Sequence, residues 1–90
     1  MYQLEYTNSF KKNYKRILKR GYNIELLAEL FEQLITSGNV NAIYKPHKLL
    51  GKYAGYWECH IQPDWLLIWE DNEQEKCITL HFTGTHSDLF

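Results

Sequence analysis

The stretch that decides the fold is WECHIQPDWLLIW, residues 57–69. Its first half alternates in character, so that Glu58 and His60 fall on one side of a strand and the residues between them fall on the other. Pro63-Asp64 is a turn signal, and the aromatic and aliphatic run at 65–69 has the composition of a second strand. The stretch therefore predicts two neighbouring antiparallel strands.

The same pattern extends in both directions from this hairpin. Downstream, the acidic segment 70–75 predicts a solvated hairpin loop, and residues 77–82 predict another strand. Residues beyond 85 read as a short tail. Upstream, residues 43–50 contain a proline and predict an irregular strand or loop. The side chains expected on one face of the 77–82 strand are Ile78, Leu80 and Phe82.

The first 38 residues contain one further strand pattern and two segments with helical spacing of the apolar residues. Residues 2–7 alternate and predict a short strand. A first amphipathic helix follows, capped by Asn8 or Ser9 and ended by Gly21. A second helix begins at Asn23 and ends at Gly38. Because two or three residues join them, the helices are expected to form an antiparallel hairpin.

This order of elements predicts an α+β fold in which both helices pack on one face of a mainly antiparallel sheet. A length of 90 residues supports one domain, residues 1–90. The chain is 44% hydrophobic and 16% aromatic, which is enough to build a core.

Composition excludes several classes of protein. Two cysteines do not make a disulfide framework and fit a reducing compartment. There is no signal-peptide pattern, and the longest apolar run, residues 65–69, is far too short to span a bilayer. We therefore expect a cytoplasmic protein with no membrane partner.

The net charge of −1 disfavours a nucleic-acid binder at first sight. The charge is segregated, however: residues 1–56 carry nine Lys or Arg against four acids, and residues 57–90 carry one against seven. The first helix carries a run of six cations, which is often merely a solvated face but also suits contact with phosphates. The cations of the first helix are Lys11, Lys12, Lys15, Arg16, Lys19 and Arg20.

Histidines are the residues best suited to chemistry here. No pair has the tight spacing of a structural metal site, so we expect no metal. His47, His60 and His86 lie at predicted strand ends or loops, and Asp64 lies across the turn from His60. Imidazoles move protons near neutral pH. With one carboxylate they suffice to cleave a phosphodiester, one group deprotonating a 2′-hydroxyl and another protonating the leaving 5′-oxygen.

Three segments together resemble the YafQ family of toxins, within the RelE/ParE superfamily of bacterial toxin–antitoxin systems. They are KPHKLLG at 45–51, ECHIQPDW at 58–65 and TGTHSDLF at 83–90. The resemblance implies two N-terminal helices on a four- to five-stranded sheet. It also implies a ribosome-dependent endoribonuclease that cleaves mRNA in the decoding site and is inhibited by a cognate antitoxin. Such a toxin is expected to be a monomer alone and a hetero-oligomer with its antitoxin.

The resemblance also implies roles for individual residues. His86 is expected to be the general acid, Asp64 or His60 the base or the residue that orients it, and His47 a stabiliser of phosphate charge. The products would be a 2′,3′-cyclic phosphate and a 5′-hydroxyl, with no cofactor. The basic first helix is expected to contact ribosomal RNA. Further residues expected to bind substrate are Trp65, Phe90, Lys45, Lys48 and Lys52. His81 has no implied role; an isolated histidine of this kind is usually a surface or hydrogen-bonded residue.

One position departs from the family pattern. Relatives commonly place an arginine just before the T-G-T-H segment, where this chain has Phe82. Three consequences are open: a lysine of the 45–52 loop supplies the missing positive charge, protonated histidines supply it, or catalysis is weak. Because of Phe82, a degenerate toxin that only binds its antitoxin stays open as a function. A non-enzymatic inhibitor of DNA gyrase, as in ParE-like relatives, is a second alternative. The histidine set disfavours the gyrase inhibitor, which needs no proton-transfer groups.

Overall fold

The computed structural model describes all 90 residues and confirms the α+β class. Single turns of 3-10 helix lie at Ala42–Tyr44 and Gly51–Tyr53. The strands and helices, in chain order, are β1 (Gln3–Tyr6), α1 (Asn8–Lys19), α2 (Ile24–Ser37), β2 (His47–Lys48), β3 (Trp57–Gln62), β4 (Trp65–Asn72), β5 (Cys77–Gly84) and α3 (His86–Leu89).

The five strands form one sheet in the order β1-β5-β4-β3-β2. β1 runs parallel to β5, and every other pairing is antiparallel. A parallel neighbour needs a long crossover connection, which α1 and α2 and the following strands provide. The sheet is therefore mainly antiparallel, with the N-terminal strand added at its far edge.

The core lies between the two long helices and one face of the sheet. It joins Phe10, Ile17, Leu27, Leu30 and Leu34 of the helices to strand residues such as Cys59, Leu67, Trp69 and Leu80. Every residue from Trp65 to Trp69 in β4 is buried. Because β4 has neighbours on both sides and cover on both faces, its run is apolar at every position instead of alternating.

Both long helices end as the sequence predicts, and one begins differently. Asn23 caps α2 through its side chain, and Gly38 ends it in the left-handed conformation, φ 82°. The cap of α1 is Thr7, not Asn8 or Ser9 as expected: its hydroxyl accepts a hydrogen bond from the Phe10 N–H (3.0 Å). None of the helices has the length and apolar content that a membrane span requires.

The expected common face of Ile78, Leu80 and Phe82 is wrong for Phe82. Leu80 pairs with Trp69 but Phe82 pairs with Ile68, so His81 is an extra residue in β5. This β-bulge reverses the alternation. Phe82 consequently points away from the helices, while Leu80 stays in the core.

The chain downstream of residue 69 is more regular than predicted. β4 continues to Asn72, so the turn before β5 is shorter than the predicted loop at 70–75. Conversely, the expected tail contains the single helical turn α3. A capping box begins this turn: the side chains of Thr85 and Asp88 each accept a hydrogen bond from the other residue's backbone N–H. This turn carries His86 against the end of the sheet.

Replacing the fully buried Leu67 by Ala is expected to lower the free energy of unfolding by about 2–5 kcal/mol, because it leaves a cavity in the core. The matched control is Leu50→Ala, since Leu50 is 87% exposed; there the expected change is below about 0.5 kcal/mol. Urea unfolding followed by circular dichroism measures both. Equal effects of the two substitutions would contradict the assignment of the core.

Candidate active site on the open face of the sheet

The sheet face opposite α1 and α2, called the open face below, collects the predicted histidines. His47 pairs with Glu58 across β2 and β3, and His60 pairs with Leu66 across β3 and β4. The imidazole centroids of His47 and His60 are 6.2 Å apart, and those of His60 and His86 are 6.0 Å apart. Three histidines from three separate segments thus form one continuous row.

His86 and Asp64 form a hydrogen-bonded pair at one end of this row. The His86 Nδ1 lies 2.6 Å from Asp64 Oδ1, and the His86 backbone N–H donates to the same oxygen at 3.0 Å. These hydrogen bonds hold the pKa of Asp64 below its ordinary value, and the backbone hydrogen bond contributes most. An ionised Asp64 keeps the His86 proton on Nδ1, which leaves Nε2 free to exchange a proton with a ligand.

His47, at the other end, is held by acceptors at both ring nitrogens. Its Nδ1 lies 3.0 Å from the Lys45 carbonyl oxygen, and its Nε2 lies 3.2 Å from Glu58 Oε1. Because a carbonyl oxygen only accepts, Nδ1 must carry a proton to bond Lys45. The contact between Nε2 and Glu58 Oε1 is then a hydrogen bond only when one of these two atoms is also protonated. The buried Glu58 was not among the predicted site residues. The available signal was its position two residues before His60 on the same face of β3.

His60, between the two, makes no side-chain hydrogen bond, so both of its ring nitrogens are available. Beside it lies an open cavity of about 580 Å³ whose wall includes His60, Lys45 and Gln62. The Lys52 Nζ lies 5.6 Å from the centroid of the Tyr53 ring. The Lys48 Nζ lies 5.6 Å from the Trp57 ring, which stacks on Trp69 on the helix face, so Lys48 is on the opposite face from the row. None of the three loop lysines is in an ion pair, so their charges are free for a ligand.

The two aromatic residues expected to bind substrate have opposite environments. Phe90 is 60% exposed and packs edge-on against Tyr53, with centroids 5.6 Å apart. Trp65 is 1% exposed, and its indole N–H donates to Thr83 Oγ1 at 2.9 Å. The prediction of a substrate contact for Trp65 is therefore wrong in this structure. Its ring offers no free surface because the strand alternation turns it toward the helices, against Tyr22.

The remaining histidine, His81, lies apart from the row. Its ring stacks on Tyr56, with centroids 4.5 Å apart, and its Nε2 is 3.3 Å from Glu70 Oε1. The segment 49–56 folds back across the open face to make this contact and the contact between Tyr53 and Phe82. His81 thus fastens that segment to the bulge in β5.

The basic residues of α1 divide into two groups. Arg20 and Arg16 reach the carboxylate of Asp88 in α3, at 2.6 Å and 3.4 Å. These two arginines are therefore not free phosphate ligands, contrary to the expectation for the whole set. The other four remain exposed without an ion pair, and they are Lys11, Lys12, Lys15 and Lys19.

Known proteins resemble this chain in sequence and in fold. The family model of the bacterial toxin of type II toxin–antitoxin systems, YafQ, matches residues 2–90. The chain belongs to the YafQ toxin family. A curated relative, the mRNA interferase toxin YafQ of Escherichia coli K12, is 35% identical over 88 residues, which are 97% of this chain and 94% of that protein.

Solved structures of similar proteins superpose closely on this chain. The toxin in the E. coli DinJ–YafQ complex has a TM-score of 0.89 at 34% identity, covering 100% of this chain and 99% of that one. A metal-bound toxin from Helicobacter pylori has a TM-score of 0.90 at 34% identity, with both chains fully covered. In the present chain, no three His, Cys, Asp or Glu side chains converge as metal ligands.

The Asp64–His86 pair predicts a pH-dependent stability difference. Because folding lowers the pKa of Asp64, its contribution is present above the ordinary carboxyl pKa and is lost as the pH falls through the lowered value. Asp64→Asn should therefore be less stable than the wild type at pH 7, and the difference should vanish on acidification. Thermal unfolding from pH 7 to pH 2 measures it. Asp71→Asn, at a carboxylate without an ion pair, is the control; a difference independent of pH would contradict the assignment.

Proposed function

We propose that this chain is an mRNA interferase, the toxin of a type II toxin–antitoxin system, acting as a single domain. It cleaves mRNA in the ribosomal decoding site by attack of a 2′-hydroxyl on the adjacent phosphorus. The observation that carries the proposal is the row of three imidazoles, with the Asp64–His86 pair at its end. Family membership and a curated relative that is an mRNA interferase support it.

His86 is the general acid in this reaction. Asp64 binds Nδ1 and stabilises the imidazolium, so the proton leaves from Nε2 toward the 5′-oxygen. Asp64 is thereby the orienting residue and not the base. Proton transfer by a positioned side chain contributes about 10²- to 10⁴-fold to a rate.

His60 is the base that accepts the proton of the 2′-hydroxyl. Its ring lies between the other two imidazoles and its nitrogens are unengaged, so it can face a nucleotide that also reaches His86. To stabilise the phosphate, the His47 Nε2–H exchanges Glu58 for a phosphate oxygen, while Nδ1 stays bonded to the Lys45 carbonyl. The bond from oxygen to phosphorus forms as the bond to the 5′-oxygen breaks, which gives a 2′,3′-cyclic phosphate and a 5′-hydroxyl.

Lysines 45 and 52 supply the positive charge that Phe82 cannot. They lie on the segment beside the row and have no carboxylate partner. Phe82 instead packs with Tyr53, which in turn contacts the exposed Phe90. Phe90 offers a ring on which a nucleobase can stack, a contact worth about 1–3 kcal/mol.

The partners follow from the same function. The four free lysines of α1 face ribosomal RNA phosphates, and a cognate antitoxin holds the toxin inactive in a hetero-oligomer. The structure of a relative with its DinJ antitoxin supports this part of the proposal. The toxin alone is a monomer, and it acts in the cytoplasm, where ribosomes translate.

Induction of the chain without an antitoxin in a bacterial host, with mapping of message 5′ ends, tests the proposal. The wild type should stop growth and give cuts in phase with codons, and His86→Gln should lower cleavage by about 100-fold or more. His81→Phe is the matched control, because His81 lies outside the row and Phe keeps a ring that can stack on Tyr56; this variant should cleave like the wild type. Purified ribosomes programmed with a defined message give the same comparison in vitro.

Three results would contradict the proposal in different ways. Unchanged cleavage by His86→Gln removes the general acid. DNA damage with intact messages indicates gyrase inhibition. Normal growth and intact messages, with tight binding to an antitoxin, indicate a degenerate toxin.

A further inference from the structure

The Asp88 carboxylate in α3 is held from several directions, although α3 is a single helical turn. Arg20 Nη1 donates to Oδ2 at 2.6 Å and Nη2 donates to Oδ1 at 3.0 Å, and the Thr85 backbone N–H donates to Oδ2 at 3.0 Å. Arg16 Nη1 lies 3.4 Å from Oδ1. The side chain of Asp88 is only 12% exposed, and the Arg20 hydrogen bonds hold its pKa well below the ordinary range.

α3 cannot maintain its own orientation. A turn of four residues is far below the length at which an isolated helix is stable. Its first residue is His86, whose backbone N–H and imidazole both bind Asp64. A rotation of this turn therefore moves both groups at once. Besides the His86–Asp64 hydrogen bonds themselves, the capping box with Thr85 and the ion pairs of Asp88 with Arg20 and Arg16 resist such a rotation.

The absence of a side chain at Gly84 makes room for this carboxylate. Gly84 has a φ of 155°, and a Cβ at that position would lie 2.9 Å from Asp88 Oδ2. α1 and its N-cap Thr7 form two hydrogen bonds with the end of β5. The Thr7 hydroxyl donates to the His81 carbonyl at 3.2 Å, and the Asn13 side chain accepts from the Thr83 N–H at 3.1 Å. The backbone between the bulge and α3 is therefore bonded to α1 and its cap.

We propose that the Arg20–Asp88 ion pair is a positioning device for His86, which fixes α3 to the end of α1 so that the imidazole meets Asp64 in one orientation. Asp88 and Arg20 touch no reacting atom. They act through the helical turn that carries the general acid. This inference rests on the proposed function for its kinetic consequence only; the orientation of His86 can be measured independently.

Asp88→Asn tests the proposal, because it keeps the size of the side chain and removes its charge. A misplacement of about 1 Å costs up to about 100-fold in rate. We therefore expect single-turnover cleavage on programmed ribosomes to fall on the order of 10- to 100-fold, with ribosome affinity unchanged. The matched control, Asp71→Asn, makes the same change of charge at a carboxylate without an ion pair and should cleave at the wild-type rate.

Nitrogen-15 NMR of the histidine rings supplies the readout that a general loss of stability would not move. In the wild type at pH 8, His86 should be the Nδ1–H tautomer, because Nδ1 donates to Asp64. In Asp88→Asn the signal should shift toward the tautomer mixture of a free imidazole, while the His47 and His81 signals stay unchanged. Arg20→Gln should reproduce this effect, and Arg20→Lys, which keeps the charge without the two-pronged geometry, should recover part of the rate.

The two variants combined should lose no more than either alone, because they remove one interaction. Wild-type tautomer and cleavage in Asp88→Asn would overturn the proposal, and so would equal shifts of all histidines. If the wild type cleaves no message, the proposed function fails, but the His86 tautomer still decides whether the ion pair orients the ring.

Discussion

The constraint on which this structure depends is the burial of β4 on both of its faces. Its residues Trp65 to Trp69 are apolar and have almost no exposed surface, with α1 and α2 covering one face. On the open face, Ile68 is paired with Phe82, whose ring packs against Tyr53. The central strand therefore supplies no functional group, and every ionisable side chain of the site comes from a neighbouring strand, a turn or α3.

The position of the site follows from this arrangement. Residues that pair across adjacent strands share a face, so His47 and Glu58 come together on β2 and β3, and His60 stands next to Leu66. The turn after β3 and the end of β5 then bring Asp64 and His86 to the same edge of the sheet. One β-bulge, at His81, turns Phe82 onto the open face as well.

Much of this could be predicted from sequence because the signals are local. Alternation around His60, the Pro63 turn and the caps at Asn23 and Gly38 depend on neighbouring residues, and the structure confirms those elements. The places of three histidines at strand ends and loops indicate candidate chemistry, but only the strand pairing shows that the imidazoles converge. The YafQ resemblance gave the residue roles, which stay predictions.

What could not be predicted depends on contacts between distant residues. Trp65 adjoins the turn, but only the strand pairing shows that its ring faces the helices. Arg20 reads as one more exposed cation until the fold brings it to Asp88, 68 positions away. A bulge leaves no mark on composition, so a regular period placed Phe82 on the wrong face. Glu58 reads as a solvated strand residue, whereas the pairing of β2 with β3 buries it beside His47.

These pairings decide how the site carries charge in the proposed reaction. Asp64 pairs with His86, Glu58 with His47, and Asp88 with Arg20, so none of these side chains is left without a partner. The positive charge left for a phosphate therefore resides on the loop lysines. A lysine is a point charge on a flexible stem, whereas an arginine presents a preorganised fork to phosphate oxygens. In the proposed reaction, with Phe82 in place of an arginine, flexible lysines hold the phosphate, and a ribosome that holds the message in place would compensate for that loss of rigidity.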